Sequence, residues 1–380
     1  MSGGSVAAGT RIEPPIQIDS SLAEPARPAV SARKPKKKLV RRAGPDRSQI
    51  LRHGFQFAFL LLNIWIGGEF YFWVRDFEAG VVPHFSRPAG VDGWLPISGL
   101  MNLKYWVLTG HVPGVHPAAL FLLLAFLGIA FLLRKAFCSW LCPVGTISES
   151  LWRLGRKVLR RNIEFPRWLD LPLRGLKYLL LGFFVWAVAA MPAAEIRGFM
   201  HTPFGLIADV KLLNFFRYLG ETGLIVIGVL VAGSFFVKNF WCRYLCPYGG
   251  LLGIVSFFSP AAIRRDAERC IDCAKCAKAC PSRLPVDRVL AVHSVECTAC
   301  MECVAVCPAE GALGLSLAQL PGVKRRSRYL PVWTIALAVA MLFFGIVGYA
   351  KYSGHWQTDV SSAVYQQIVP NANQATHPMP

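Results

Sequence analysis

The chain has 380 residues, of which 54% are hydrophobic and only 17% charged, with twelve cysteines and a formal net charge of +19. Soluble domains average about 25% charged residues, so this composition excludes an ordinary soluble globule and, with apolar runs of near-spanning length, points to a membrane protein. In a soluble protein the positive excess would suggest a nucleic-acid partner; here it gathers in particular loops, where it reads as membrane topology and no nucleic acid is expected.

Residues 1–50 are rich in Pro, Ala, Gly and Ser and carry Arg33, Lys34, Lys36, Lys37 and Lys38, followed by Arg41, Arg42 and Arg47. Nothing there can form an apolar core, so a disordered basic tail is expected. It lacks the apolar stretch and small-residue cleavage site of a signal peptide, and positive charge just before the first apolar run places it in the cytoplasm. A membrane domain follows over 51–262, with apolar segments at 55–73, 117–133, 176–193 and 222–237; a fifth, 329–349, lies within 318–350, and 351–380 is read as a periplasmic tail. Several are slightly shorter than the roughly 20 residues an untilted span needs. Trp65, Tyr71, Trp73, Trp333, Tyr349 and Trp356 supply an interfacial aromatic belt. The loop from Arg134 to Lys177 and the segment from Lys238 to Arg328 are strongly basic, whereas the opposite loops hold Asp76, Glu78, Asp92, Glu195, Asp209 and Glu221. This asymmetry puts the N-terminus inside and the C-terminus outside.

An internal repeat organises the first four spans. The first two enclose a partly apolar outer loop (95–110) and end in Cys138-Ser-Trp-Leu-Cys142-Pro143-Val-Gly145. The next two enclose another (198–219) and end in Cys242-Arg-Tyr-Leu-Cys246-Pro247-Tyr-Gly249. A parallel repeat of this kind packs around an axis along the membrane normal, which would bring the two cysteine pairs together at the inner face. Cysteines four apart on a helix have β-carbons roughly 5–6 Å apart, too far for an internal disulfide but suited to two corners of a cluster. Three readings stay open for Cys138, Cys142, Cys242 and Cys246: a third metal centre, a redox dithiol system, or helix packing. After the first motif, Thr146 and Glu149 match a capping box, opening a basic helix that lies on the inner leaflet or on the next domain.

Within 263–317 come two runs of the pattern C-x2-C-x2-C-x3-C-P, the bacterial ferredoxin signature, in which the fourth cysteine ligates the other cluster. Cys270, Cys273, Cys276 and Cys307 are thereby assigned to one 4Fe-4S cluster and Cys297, Cys300, Cys303 and Cys280 to a second, in a small α+β domain facing the cytoplasm. Zinc gives no reason for two four-cysteine runs each closed by Cys-Pro, and a reducing compartment disfavours disulfides. Lys275, Lys278 and Arg269 stand close to these ligands in sequence. In the membrane part, Glu69 near the outer end of the first span is a candidate proton acceptor for a quinol, against a carboxylate that reaches outer water. His84, His111, His116, His201, His355 and His377 map to the outer side, where imidazoles could bind copper or line a quinone pocket; without a spacing motif most are expected to be ordinary loop residues.

The paired C-x-aromatic-L-C-P-x-G motifs after membrane hairpins, followed by the double ferredoxin run and a last span, resemble the polyferredoxin-like membrane proteins. These include the quinol dehydrogenase membrane subunit of periplasmic nitrate reductase systems, the iron–sulfur half of the nitrous oxide reductase regulator and the cbb-type cytochrome oxidase accessory protein. The resemblance covers about residues 50–350. It implies an all-α bacterial inner-membrane protein of about five spans that carries a double-cluster ferredoxin domain and moves electrons between the quinone pool and a redox partner. The same residues leave room for a maturation factor that reduces copper for oxidase assembly, and for a membrane redox sensor.

Overall fold

A computed structural model describes residues 40–42, 44, 46–317 and 329–377. The basic run Arg33–Lys38 and the 318–328 linker lie outside the described residues. The chain opens with α1 (Ser48–Glu78), followed after a 3-10 turn at Ala89–Trp94 by α2 (Pro96–Thr109) and α3 (Pro117–Leu133). Helix α3 contains only apolar residues, glycine and its leading proline. A helix apolar all round belongs in an interior, and twelve of its seventeen residues are buried, against α2, α11 and α14. After α3 come α4 (Ala136–Trp140) and α5 (Pro143–Leu159).

The chain continues with α6 (Arg167–Ala190), three short helices α7 (Ala193–Met200), α8 (Pro203–Leu206) and α9 (Ala208–Arg217), then α10 (Glu221–Phe236), a π-type turn at Trp241–Leu245, and α11 (Pro247–Phe257). Helices α1, α6 and α14 (Val332–Tyr352) are long and apolar enough to cross a membrane. By contrast α3 has 17 residues and α10 has 16 and meets α9 at 83°, so among the described residues length and composition alone give three candidate spans, or four with the bent pair. Large apolar side chains such as Leu179, Phe183, Trp186, Leu224, Val229 and Met341 point outward uncovered, as lipid-facing surface requires.

The ferredoxin segment has a three-stranded antiparallel sheet in the order β2-β1-β3, from β1 (Ala261–Arg265), β2 (Ala291–Val292) and β3 (Leu313–Leu317). Ile263 stands opposite both Val292 and Leu315. Two short helices, α12 (Lys275–Ala279) and α13 (Glu302–Ala305), carry the cysteine runs. Buried ion pairs bolt this segment to the helices. Arg134, fully buried just past α3, donates to the Ser256 carbonyl at 2.8 Å and to the Val292 carbonyl. Arg52, also fully buried, grips Glu149 at 2.6 Å and reaches Glu302 at 3.3 Å.

Three expectations are corrected here. The capping box fails: α5 begins at Pro143, so Thr146 lies inside the helix, and Glu149 is drawn to Arg52. The expected tail does not extend to residue 50. Arg41 bridges Ala309, the Arg42 N–H donates to the Pro308 carbonyl at 3.3 Å, and helix starts at Ser48. At the other end, α15 (Ser362–Ile368) packs on α1, with Tyr365 edge-on to Trp73 at 4.9 Å. That segment is a folded cap and no trailing tail.

Beneath this cap lies a buried polar cluster. Arg87 pairs with Asp92 and, at 2.7 Å, with Asp209. His116 has Nδ1 2.9 Å from Asp92 Oδ1 and Nε2 3.1 Å from the Gly205 carbonyl. Asp92 and the Gly205 carbonyl accept, while the Arg87 guanidinium also lies 3.2 Å from Nδ1; with Asp92 the nearer partner of Nδ1, the pairing favours the imidazolium, in which two cations face two carboxylates. Burial opposes the charged ring, but Asp92 outweighs it and the His116 pKa is raised from 6.5. Burial likewise opposes the Asp92 carboxylate, yet Arg87 and His116 bring its pKa down to about 2. A raised histidine pKa stabilises fully below the unfolded value near 6.5 and fades as pH climbs through the folded one. Hydrogen-exchange protection factors, which remove the base-catalysed intrinsic rate, are therefore expected to fall in 89–94 and 203–217 as pH rises above 6.5 in the wild type and to lose that dependence in His116→Gln. An identical pH response in both proteins would exclude the imidazolium.

Candidate metal and cofactor centre

Each ferredoxin run folds the same way. In the first, Asp272 and Ala274 flank Cys273 with φ of 55° each; in the second, Ala299 and Met301 flank Cys300 with φ of 49° and 59°. These left-handed conformations are unfavourable for residues bearing a Cβ and persist where the surroundings enforce them. Alternating right- and left-handed residues curl the backbone so that successive N–H groups point to one centre, a ready seat for an anion. Those N–H groups reach sulfur: Ala299 donates to Cys297 and Glu302 to Cys300. Hydrogen bonds to sulfur are one of the ways a protein sets a cluster's potential. The two assigned sets differ in depth. Cys280, Cys297 and Cys303 are buried, whereas Cys273 is exposed and Cys270, Cys276 and Cys307 are half-buried.

The four repeat cysteines share one cavity of about 820 Å³ whose lining also includes Trp94, Lys351 and Trp356. Cys138, Cys142, Cys242 and Cys246 all line it. The spacing C-P-x-G explains the local fold. Cys142 and Cys246 are N-caps, and Pro143 and Pro247 occupy the first helical position, where a missing N–H is harmless. The next N–H groups turn onto sulfur, Val144 and Gly145 toward Cys142, Tyr248 and Gly249 toward Cys246, the last at 3.3 Å. Burial pushes the Cys142 thiol up, to about 11, and the Gly145 N–H pulls it back. Such buried sulfurs take up thiolate charge when a cation is there to balance it.

Between this site and the deeper ferredoxin set stands a second ionic knot. Lys177, fully buried, donates to Glu296 at 2.5 Å, and Lys135 lies 3.8 Å from the other carboxylate oxygen. Glu296 precedes Cys297, and Lys135, Glu296, Pro281 and Thr298 share the cavity wall with the four cysteines. Arg243, next to Cys242, pairs with Asp170 at 2.7 Å and donates to the Pro281 carbonyl at 3.2 Å. The deeper ferredoxin ligands and the repeat cysteines are therefore held on two sides of one wall.

Among the described residues the three sulfur sets are more open than a single zinc ion would need. Among the described residues, the groups that converge within 4.8 Å are His53 with Glu149 and Glu302, and Asp92 with His116 and Asp209; no three cysteine sulfurs come so close. A zinc ion with sulfurs at about 2.3 Å would draw them to about 3.8 Å apart. Glu69 is half-buried on α1 and is not among the residues lining the cavity. The outer histidines do not gather as a copper set: His116 is locked to Asp92, while His111 and His201 bond nearby backbone carbonyls. Lys275 and Lys278 lie exposed on α12, and Arg269 faces Asp266 at 3.7 Å.

Comparison with known proteins agrees with this geometry. One family model, described as a 4Fe-4S binding domain, matches residues 115–162 and again 219–265, each stretch enclosing one repeat cysteine pair. A second, described as a 4Fe-4S dicluster domain, matches 262–308. The chain is 50% identical over 327 residues to YccM of Escherichia coli (strain K12), named provisionally as an electron transport protein, covering 86% of this chain and 91% of that one. It is 24% identical over 285 residues to the ferredoxin-type protein NapH of Haemophilus influenzae, covering 64% and 88%. It is 32% identical over 174 residues to the regulatory protein NosR of Pseudomonas aeruginosa, covering 42% of this chain and 22% of that larger protein. No solved structure matches.

The repeat makes an asymmetric prediction. A Cβ on Gly145 would sit 2.2 Å from the Cys138 carbonyl oxygen, whereas one on Gly249 finds nothing closer than 3.6 Å. Gly145→Ala is expected to lower stability by about 1–3 kcal/mol and expose Cys138 to thiol reagents, with Gly249→Ala within about 1 kcal/mol of wild type. Thermal melts with thiol labelling test this; equal losses in the two variants would refute the close approach at Gly145.

Proposed function

The chain belongs to the polyferredoxin-like family of membrane 4Fe-4S electron transport proteins, and on that footing we propose that it moves electrons between a quinone in the membrane cavity and a protein partner on the ferredoxin side. In this reading Cys138, Cys142, Cys242 and Cys246 hold a third iron–sulfur centre beside the two held by the ferredoxin cysteines. The observation that carries it is the shared wall: the repeat cysteines and the neighbours of Cys280 and Cys297 line one cavity. Clusters bound by these cysteines would supply one-electron redox chemistry.

The chain's own residues then have separable tasks. Cys270, Cys273, Cys276 and Cys307 form the ligand set nearest solvent, Cys297, Cys300, Cys303 and Cys280 the set nearest the membrane. Backbone N–H groups at both helix N-caps and in the second curled loop donate to sulfur and favour the more reduced, more negative state. Lys135 and Lys177 place positive charge, only partly offset by Glu296, beside the repeat cysteines. The cavity wall of Phe59, Leu122, Phe126, Phe184 and Phe343 excludes water and suits an isoprenoid tail. The ionisable groups at its inner end, Lys135 and Glu296, are better placed than Glu69 to meet a quinone headgroup. In this topology α3 and α10 act as short spans beside α1, α6 and α14, with the basic α5 and the ferredoxin segment in the cytoplasm of a bacterial cell and α15 in the periplasm.

Iron and sulfide analysis with EPR on anaerobically prepared protein tests the centre count. Wild type is expected to hold about twelve irons and the fourfold Cys138/Cys142/Cys242/Cys246→Ala variant about eight, four per cubane. About eight in both would remove the third centre. For the quinone, a reduced quinol analogue added to the protein in lipid nanodiscs is expected to bleach the visible iron–sulfur absorbance, and more slowly in Lys135→Met; no bleaching in wild type would remove the quinone.

A further inference from the structure

Of the eight ferredoxin cysteines, Cys273 is the one exposed to solvent, and the surface around it has a definite charge. Helix α12 begins two residues later and turns Lys275 and Lys278 outward, both exposed and neither in an ion pair with a described residue. Beside α12 opens a cleft of about 360 Å³ whose wall includes Lys278, Arg167, Arg283 and Arg288 against Glu164 and Asp287. With Lys275 that makes five cations and two carboxylates, leaving three positive charges over. Asp272, the other acid beside Cys273, is occupied by Arg265 at 3.2 Å. The frame is fixed: Arg283 donates to the Phe165 carbonyl at 2.8 Å and lies 3.4 Å from Glu164, tying the cleft to the chain entering α6. The opposite side of the segment is closed by Lys177, Arg243 and Arg52.

We propose that this face, from Cys273 across α12 to the cleft, docks an acidic soluble single-electron carrier. The inference rests on the iron–sulfur reading above and adds to it the place and chemistry of the partner. A rim of mobile cations around an exposed ligand suits a transient complex, because complementary charge raises the encounter rate and fixes orientation without a large apolar contact. A carrier docked there approaches the ligand set nearest solvent, and carboxylates around its own redox group meet Lys275, Lys278 and Arg288. Arg283 and Arg167 shape the cleft.

The test uses the full iron-loaded chain in nanodiscs of neutral lipid, with oxidised flavodoxin, an acidic flavoprotein, as probe. Binding is read by fluorescence at about 50 mM and about 300 mM salt, where screening lengths differ about twofold. Wild type is expected to bind and to weaken at least about tenfold as salt rises, Lys275→Glu/Lys278→Glu to lose at least about tenfold at low salt, and the control Arg156→Glu/Lys157→Glu on α5 to bind like wild type. Carbodiimide coupling followed by mass spectrometry is expected to join the carrier to Lys275 or Lys278. Unchanged binding by the α12 variant, an equal loss in the control, or wild type that binds anionic vesicles but no flavodoxin would overturn the proposal. Iron measured on each sample separates the failures: iron-loaded protein that does not bind sinks the docking face alone, and protein that takes up no iron sinks the cluster reading beneath it.

Discussion

The pairing of fully buried Lys177 with Glu296 is the interaction on which the arrangement turns. It joins a membrane helix to the residue before Cys297, and thereby sets where the ferredoxin segment sits against the repeat cysteines. Buried ion pairs add little net stability once desolvation is counted, but breaking one is strongly destabilising because it strands a charge. Their benefit is specificity. Arg243 on Asp170 and Arg52 on Glu149 and Glu302 repeat the device at two other points, and Arg134 holds the Ser256 and Val292 carbonyls by hydrogen bonds alone. An apolar interface would let the small domain slide; cations held by specific partners do not.

The two halves of the chain show how one sequence device serves two geometries. Cys-Pro-x-Gly makes a helix start with sulfur as the cap in both, yet the preceding cysteine sits on a short α-helix in one half and a π-type turn in the other. The same turn chemistry, Cys-Pro after a short helix, closes each ferredoxin run. Sulfur, proline and a helix N-terminus recur because together they supply a ligand, a stop and donors to that ligand in four residues.

Much of this was legible in the sequence. Cysteine spacing identified the ferredoxin runs and the paired motifs, because ligand geometry leaves few alternatives, and apolar segments located α1, α3, α6, α10 and α14, whereas α2 falls where the sequence reads as a partly apolar loop. Helix limits were less legible. Polar and aromatic residues flanking an apolar run continue α1 by several residues at each end, and Thr146-x-x-Glu149 imitates a capping box although Cys142-Pro143 caps earlier. The ion pairs were not legible at all. Lys135, Lys177 and Arg134 counted only as loop charge, and Asp92 and Asp209 as outer acids, since nothing local announces partners 119 or 122 residues away. His116 looked like any loop histidine until Asp92 and Gly205 were seen to claim both its nitrogens. Its positive φ of 49° is likewise silent in a one-dimensional reading.

The short bridge that seats Val40–Arg42 beside Pro308–Glu310 has a mechanical meaning. Glu310 donates to the Val40 carbonyl and Arg42 to that of Pro308, so the polypeptide leading into α1 is stitched to the bend that follows Cys307. A force applied upstream of Val40 arrives first at that bend, ahead of the membrane helix, and tugs on the sulfur that crosses between the two ligand sets. The leading arm and the iron-binding fold thus share a tether three residues wide.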